Sequence, residues 1–330
     1  MRIANSKEFI FFKNNYNFKI YNILKIFIII QFVLNIFLLF KVRRNTYNEF
    51  DKKEIKNNFE YLNNQKLEEI DENILLQIED RLEGAIEMVP GERRFLNGLV
   101  RKYKPKKIVE IGVSAGGSAA LILNAIKDIP GAKLYSIDRS EHYYKNTSRN
   151  VGWLVKERFP ELMDNWTLYA GNNTIEIIEN IGDNIEFVLI DTCHTTPGEM
   201  LNFLEILPFL KEKAIVAFHD VYIMFNIEFY KRRVINYSNN QLLCYIRGKL
   251  ILPTYGNNTF GRNIGALQLD VNQKKYYKQY FLALGNQWNY FPDYDIIILR
   301  KYFKKYYSDE LIQIFNDAVD QNLERFRKHR

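Results

Sequence analysis

Cysteine is almost absent from this 330-residue chain. Cys193 and Cys244 are too few for a disulfide framework, and no C-x-x-C or histidine-rich spacing suggests structural zinc. A reducing compartment is the natural setting. The body of the chain also lacks a charge imbalance. The net charge is +7, yet residues 1–60 hold 11 of the 46 Lys and Arg against 5 of the 39 Asp and Glu, leaving 35 against 34 for the remainder. A nucleic-acid partner, which requires a basic face on the folded body, therefore loses its support. Internal repeats are missing as well. Long apolar runs are scarce: within Ile20–Phe40, Lys25, Gln31 and Asn35 interrupt the pattern, and the longest uninterrupted stretches are Ile26–Ile30 and Ile36–Phe40.

What is present describes a folded protein, with 47% hydrophobic and 26% charged residues. As a helix, Ile20–Phe40 would cover about 32 Å, the depth of a hydrocarbon layer. No small-residue cleavage site precedes "KVRRN", so a removable signal peptide is the poorer reading. The expectation is a single uncleaved membrane anchor at 20–40 behind a basic tail, 1–19, with a buried or interfacial helix as the alternative. Lys and Arg number 5 up to Lys25 and 6 from Lys41 to Lys56. That one-charge excess favours a cytoplasm-facing domain.

A charged helical connector is expected over 41–90, where Leu67, Ile70, Ile74, Leu75 and Ile78 recur mostly at spacings of three and four. "VPGERRFLNGLVRKYKP" reads as a turn and a helix ended by Lys104 and Pro105. The main domain then occupies 91–270, and a helical extension 271–330.

From Lys106 the pattern alternates. "KKIVEIG", "AKLYSID", "WTLYAG", "EFVLID" and "KAIVAFHD" are short apolar runs separated by helical stretches at Gly117–Asp128, around Tyr144–Phe159, at Thr174–Asn180 and at Gly198–Leu210. Alternation of this kind predicts an α/β fold, a doubly wound, mostly parallel sheet with helices on both faces. Ligands bind outside the carboxyl ends of such strands. The residues there are Glu110 to Gly112, Asp138, Gly171 and Asn172, Asp191 to His194, and His219 with Asp220. "NIGALQLD" is a further expected strand, "LPTYGNNTFGRN" a loop able to cover the site, and the stretch after Pro292 two amphipathic helices with a break near Ser308. Tyr222–Leu252 mixes helical and strand signals.

The glycine turn "EIGVSAGGSA" can be tested against its possible ligands. A dinucleotide fingerprint starting at Gly112 needs glycine at position 114, which is Ser114. A P-loop spanning Gly112 and Gly117 needs lysine next, where Ser118 stands. An acid at the strand end, free helix amides and a second acid, Asp138, suit a ligand with an amine beside a carboxylate and a ribose further on. S-adenosylmethionine has these groups. Asp191, His219 and Asp220 end adjacent strands and offer two carboxylates and an imidazole to Mg²⁺ or another divalent metal. Cys193 lies beside them but has no identifiable activating partner, and reads as a packed thiol.

"VEIGVSAGGSA", "LYSID", "FVLIDTCH" and "LPFLKEKAIVAFHD" together resemble a class I S-adenosylmethionine-dependent methyltransferase with a Rossmann-like sheet. The branch is the small O-methyltransferases, similar to the catechol and caffeoyl-CoA enzymes and to macrocin-type sugar O-methyltransferases. The resemblance implies that Glu110, Gly112, Gly116 and Ser118 embrace the methionine part, that Asp138 holds the ribose and that Asn172 lies near the adenine. It also implies a general base at His194 acting with Asp191. Where a carboxylate often follows that histidine, "HTTPGEM" has Pro197 and Gly198, with Glu199 one step on. The expected acceptor is a small-molecule or lipid-linked sugar, or another hydroxylated compound. Rival readings are a hydroxylase of the same fold, as in the related cephalosporin hydroxylase group, a dinucleotide-dependent oxidoreductase, and a non-catalytic, membrane-anchored binding module.

Overall fold

A computed structural model of the chain describes residues 72–82, 84–221, 242–243, 245–253 and 263–328. Two helices come first, α1 (Glu72–Leu82) and α2 (Pro90–Tyr103). There follow β1 (Lys107–Ile111), α3 (Gly117–Ile126), β2 (Lys133–Asp138), α4 (Trp153–Arg158), β3 (Trp166–Ala170), α5 (Thr174–Ile181), β4 (Ile185–Ile190), α6 (Gly198–Ile206) and β5 (Leu210–His219). Two more strands, β6 (Gly248–Ile251) and β7 (Ile264–Leu269), precede α7 (Tyr277–Ala283), α8 (Asp293–Tyr306) and α9 (Asp309–Lys328).

The strands form one sheet in the order β3-β2-β1-β4-β5-β7-β6. Neighbours from β3 to β5 are parallel, while β7 runs antiparallel to both β5 and β6. This is the mostly parallel, doubly wound, Rossmann-like sheet expected from the alternation. The chain leaves β1 to pair β2 and then β3 on one side, and returns to place β4 on the other. The order therefore reverses beside β1, where a doubly wound sheet opens a crevice for a ligand.

Alternation along the strands feeds two cores. Ile108, Leu134, Phe187 and Ala217 face the side covered by α2, α3 and α4, with Leu96, Leu121 and Phe159. Val109, Ile137, Val188 and Phe218 face the other side, covered by α5 and α6 and by the C-terminal helices through Phe281, Phe303 and Phe315. These three phenylalanines are fully buried, and each contributes about 1.5–3 kcal/mol by leaving water. The aromatic C-terminal stretch is thus part of the core. Helix α9 has Asp309 and Glu310 in its first turn and Arg325, Arg327 and Lys328 in its last, the arrangement that complements the helix dipole.

Local signals account for the helix ends that frame the crevice. Pro90 opens α2, and the Glu92 carboxylate accepts from the Val89 N–H at 2.9 Å. Lys104 adopts the left-handed conformation (φ 48°) and returns its N–H to the Val100 carbonyl, and Pro105 follows. Helix α3 is buried along its whole length. It starts after Gly116, whose φ of 98° is open to glycine.

One expectation is corrected. Among the described residues no helix is long and apolar enough to cross a membrane. The single-pass anchor, the membrane partner and the cytoplasm-facing placement built on it are therefore not supported. The most apolar sequence among these helices belongs to α3, which has only 10 residues, about half a bilayer's depth. Ile20–Phe40, broken by Lys25, Gln31 and Asn35, lies outside the described residues, as do Leu67, Ile70, Cys244 and most of the glycine- and asparagine-rich loop before Asn263.

Candidate active site

The carboxyl ends of β1, β2, β4 and β5, with the loop after β3, open onto a cavity of about 670 Å³, ample for a nucleoside-sized ligand. Gly112, Ser118, Asp138, Asn172, Asp191, His194, His219 and Asp220 all line it. Glu110 and Gly116 lie behind the wall. Gly112 has a φ of 90°, and a Cβ there would run into the Asp191 carbonyl oxygen. Glycine at this point lets the end of β1 pass close to the end of β4.

Asp138 braces the turn after β1. Its Oδ2 accepts from the backbone N–H groups of Val113 (2.9 Å) and Ser114 (3.0 Å), and its Oδ1 from Ser140 (2.8 Å). Ser114 is held in the left-handed region at φ 54°. Beyond Ser114 the first amides of α3 have no partner within the helix and present partial positive charge. At the end of β3, Asn172 donates its side-chain amide to the Ala170 carbonyl at 2.8 Å, and its N–H to the Asp138 carbonyl at 3.1 Å.

Glu110 is fully buried on the α3 side of β1. Its carboxylate accepts from Ser118 Oγ at 2.5 Å and from Ser136 Oγ at 2.6 Å, and Trp166 Nε1 donates to Ser136 Oγ at 2.8 Å. Burial pushes its pKa to about 8, outweighing the two hydroxyl donors, with Asp191 and Asp138 adding to the rise.

At the other end of the cavity, Asp191, His194, His219 and Asp220 converge. His219 Nδ1 is 3.3 Å from an Asp191 carboxylate oxygen and 3.7 Å from Asp220 Oδ2. His194 Nε2 is 3.1 Å from Asp220 Oδ2, and its Nδ1 faces Glu199 Oε1 at 3.4 Å and Asp191 Oδ1 at 3.8 Å. His194 and Asp220 both have positive φ, 61° and 54°, a strain that the surrounding contacts must maintain. Burial opposes charge on His194, but Glu199, Asp191 and Asp220 outweigh it and lift its pKa to about 9. Burial also works against ionisation of Asp191, but His219 and His194 hold its carboxyl below the usual range. For Asp220 burial prevails and raises it. Cys193 is exposed rather than packed as expected; its Sγ lies 3.5 Å from Tyr290 Oη, and partial desolvation of the sulfur, helped by Glu199, pushes its thiol up, away from nucleophile chemistry.

Two acids that support this cluster were not singled out as site residues from the sequence. Glu199, fully buried at the start of α6, accepts from the His194 backbone N–H. In "HTTPGEM" it follows directly on Pro197 and Gly198, five residues after His194. Glu92 of α2 accepts at His219 Nε2 across 3.2 Å. It is 127 positions from His219 in sequence, and its only local mark is its place in the first turn of a helix.

Comparison with known proteins agrees with this layout. Residues 109–221 match the family model described as a methyltransferase domain. The match runs from β1 through the end of β5, covering the glycine turn and the four clustered residues. Among solved structures, the O-methyltransferase TomG from Streptomyces achromogenes in complex with SAM is 14% identical with a TM-score of 0.42, over 59% of this chain and 89% of that one. An O-methyltransferase from Bacillus cereus in complex with SAH is 16% identical with a TM-score of 0.40, over 60% and 89%. A putative caffeoyl-CoA O-methyltransferase from Staphylococcus aureus is 16% identical with a TM-score of 0.39, over 66% and 98%. Scores of this size transfer no substrate or mechanism. The family match places the likeness to a methyltransferase domain in residues 109–221.

Proposed function

We propose that this methyltransferase domain moves the methyl group of S-adenosylmethionine to a hydroxyl oxygen of a sugar or another small hydroxylated acceptor. The observation that carries the reading is the pairing, within one cavity, of the turn braced by Asp138 with the cluster of Asp191, His194, His219 and Asp220. The turn's amides and Ser118 suit the donor's carboxylate, Glu110 behind them fixes Ser118 through its buried carboxyl, and Asp138 is the acceptor for its ribose hydroxyls. Asn172 lies on the side where the base would extend.

In the transfer the acceptor oxygen attacks the methyl carbon in line, the carbon–sulfur bond breaks, and the hydroxyl proton must leave. His194 is the proposed recipient of that proton. Glu199 and Asp220 fix its ring from opposite sides, and the high affinity for a proton that they create makes the neutral imidazole a strong base. Asp191 and Asp220 orient the acceptor hydroxyl.

The chemistry of the cluster also fits a divalent metal. One donor atom each from Asp191, His219 and Asp220 lie within 4.8 Å of one another; the two carboxylates suit Mg²⁺ or Mn²⁺, and the imidazole suits a softer divalent ion such as Fe²⁺ or Zn²⁺. Such an ion, held by these three residues, would supply a Lewis acid that lowers the acceptor hydroxyl's pKa.

A second reading has its own observation. Two imidazoles beside two carboxylates are also the donor types of non-haem iron oxygenases, and a hydroxylase would consume oxygen and require iron. The test is methyl transfer from labelled S-adenosylmethionine to a panel of sugars and polyols, with and without EDTA, and with His194→Ala in parallel. Labelled product that falls at least about a hundredfold in the variant supports the proposal. Oxygen uptake with no labelled product would replace it with the hydroxylase, and an unchanged rate in His194→Ala would remove the base.

A further inference from the structure

The cavity wall contains a carboxylate that the chemistry above leaves unused. Past Asp138 and Asn172 the cavity is bounded by Thr174 and Ile175 at the start of α5, by Asn202 and Glu205 on α6, and by Leu299 on α8. Helix α8 lies outside the segment matched by the family model, so the C-terminal extension contributes part of this wall. Glu205 is buried, at 8% exposure. A relay holds its carboxylate in place: Thr192 Oγ1 donates to Asn202 Oδ1 at 3.0 Å, and Asn202 Nδ2 donates to Glu205 Oε2 at 3.0 Å. No ion pair engages it among the described residues. Arg139, the nearby cation, is committed to Asp295, with Nη1 2.9 Å from Oδ2.

Asn202 and Thr174 give this buried acid two neutral donors and no cation, and a donor from the ligand would offset more of the cost of burying it. The surrounding wall narrows the choice of ligand. Ile175 and Leu299 offer apolar surface, and Glu205 offers a hydrogen-bond acceptor fixed from behind. An aromatic base with apolar faces and an amino group on its edge matches both.

We propose that Glu205 accepts a hydrogen bond from the 6-amino group of the donor's adenine, and so makes the domain selective for adenine over 6-oxopurine nucleosides. This rests on the reading that S-adenosylmethionine occupies the cavity. A 6-oxo group would set a carbonyl oxygen against the carboxylate, leaving two acceptors facing each other. Glutamine in place of glutamate offers both an oxygen and an NH₂, and accommodates either base.

The test is calorimetric titration of the full chain with S-adenosylhomocysteine and with S-inosylhomocysteine, its 6-oxo counterpart. Burial raises the Glu205 pKa to about 7, so the titrations belong in mildly alkaline buffer, where the carboxylate is ionised. The wild-type chain should prefer the adenine compound by roughly ten- to a hundredfold, the range of a hydrogen bond to a buried charge. Glu205→Gln should keep binding S-adenosylhomocysteine while the preference shrinks to within about threefold. Should that variant fail to fold by circular dichroism, Glu205→Asp, which withdraws the acceptor by one methylene, should lower the same ratio. Equal wild-type affinities, or a ratio untouched by the folded variant, would overturn the assignment of Glu205 while leaving the donor reading intact. No binding of either compound would overturn both.

Discussion

The strongest quantitative consequence of the site concerns Glu110. Its carboxyl is fully buried between two serine hydroxyls, and its pKa is lifted from the ordinary 4.5 to about 8. Because the folded value lies above the unfolded one, the unfolded chain releases this proton first as the pH rises. Glu110's contribution to stability is therefore intact below about pH 4.5, declines through neutrality and is exhausted once the folded value near 8 is passed. The whole displacement is worth on the order of 4–5 kcal/mol, or about 1.4 kcal/mol for each pH step within the window. Glu110→Gln removes the titration and keeps the shape, since the serine hydroxyls can rotate to meet an amide. Urea unfolding of wild type and variant at about pH 5.5, 6.5 and 7.5 measures the difference. The variant should gain on the wild type by about 2–3 kcal/mol across that span. Parallel stability curves would mean that Glu110 is ionised in the folded protein, and would refute the account of its burial.

Three further outcomes follow from particular contacts. Glu199→Gln should lower kcat for an acceptor that the wild type methylates by about a hundredfold, with the KM for the methyl donor little changed, because Glu199 supports His194 and lies away from the glycine turn. Gly112→Ala should cost at least about 3 kcal/mol in chemical denaturation, since its Cβ meets the Asp191 backbone, whereas Gly131→Ala, also at positive φ but in open space, should cost about 1 kcal/mol. Phe303→Ala should cost about 3–5 kcal/mol in the same assay, which tests whether the C-terminal helices share the core of the sheet.

The parallel strands were readable because both of their faces are covered. "KIVEI", "KLYSID" and "IEFVLI" are compact apolar runs, and the polar residue closing each one marks the ligand side. Helix ends announced by Pro90, Pro105 and the break at Ser308 were legible for the same local reason. Legibility failed where structure depends on distant partners. Around Tyr144–Phe159 only Trp153–Arg158 is helical, because the residues before it form a loop in which Tyr144 and Lys145 bond to Glu87. Strand β6 is four residues long and exists by pairing with β7. In the site, the strand-end residues could be named from their positions. Glu92 and Glu205 could not: one reaches His219 from a helix before the sheet, and the other acquires its place only when α8 closes the far wall. The apolar stretch at 20–40 invited a membrane reading that the described helices do not support.

The claim on which all of this depends is that the glycine turn and Asp138 hold S-adenosylmethionine. Calorimetric titration of the full chain with S-adenosylmethionine, beside NAD as the rival ligand, tests it most directly. Saturable binding of S-adenosylmethionine alone is expected, weakened at least about tenfold in Asp138→Ala. Absence of S-adenosylmethionine binding by the folded chain, or undiminished binding by the variant, would contradict it.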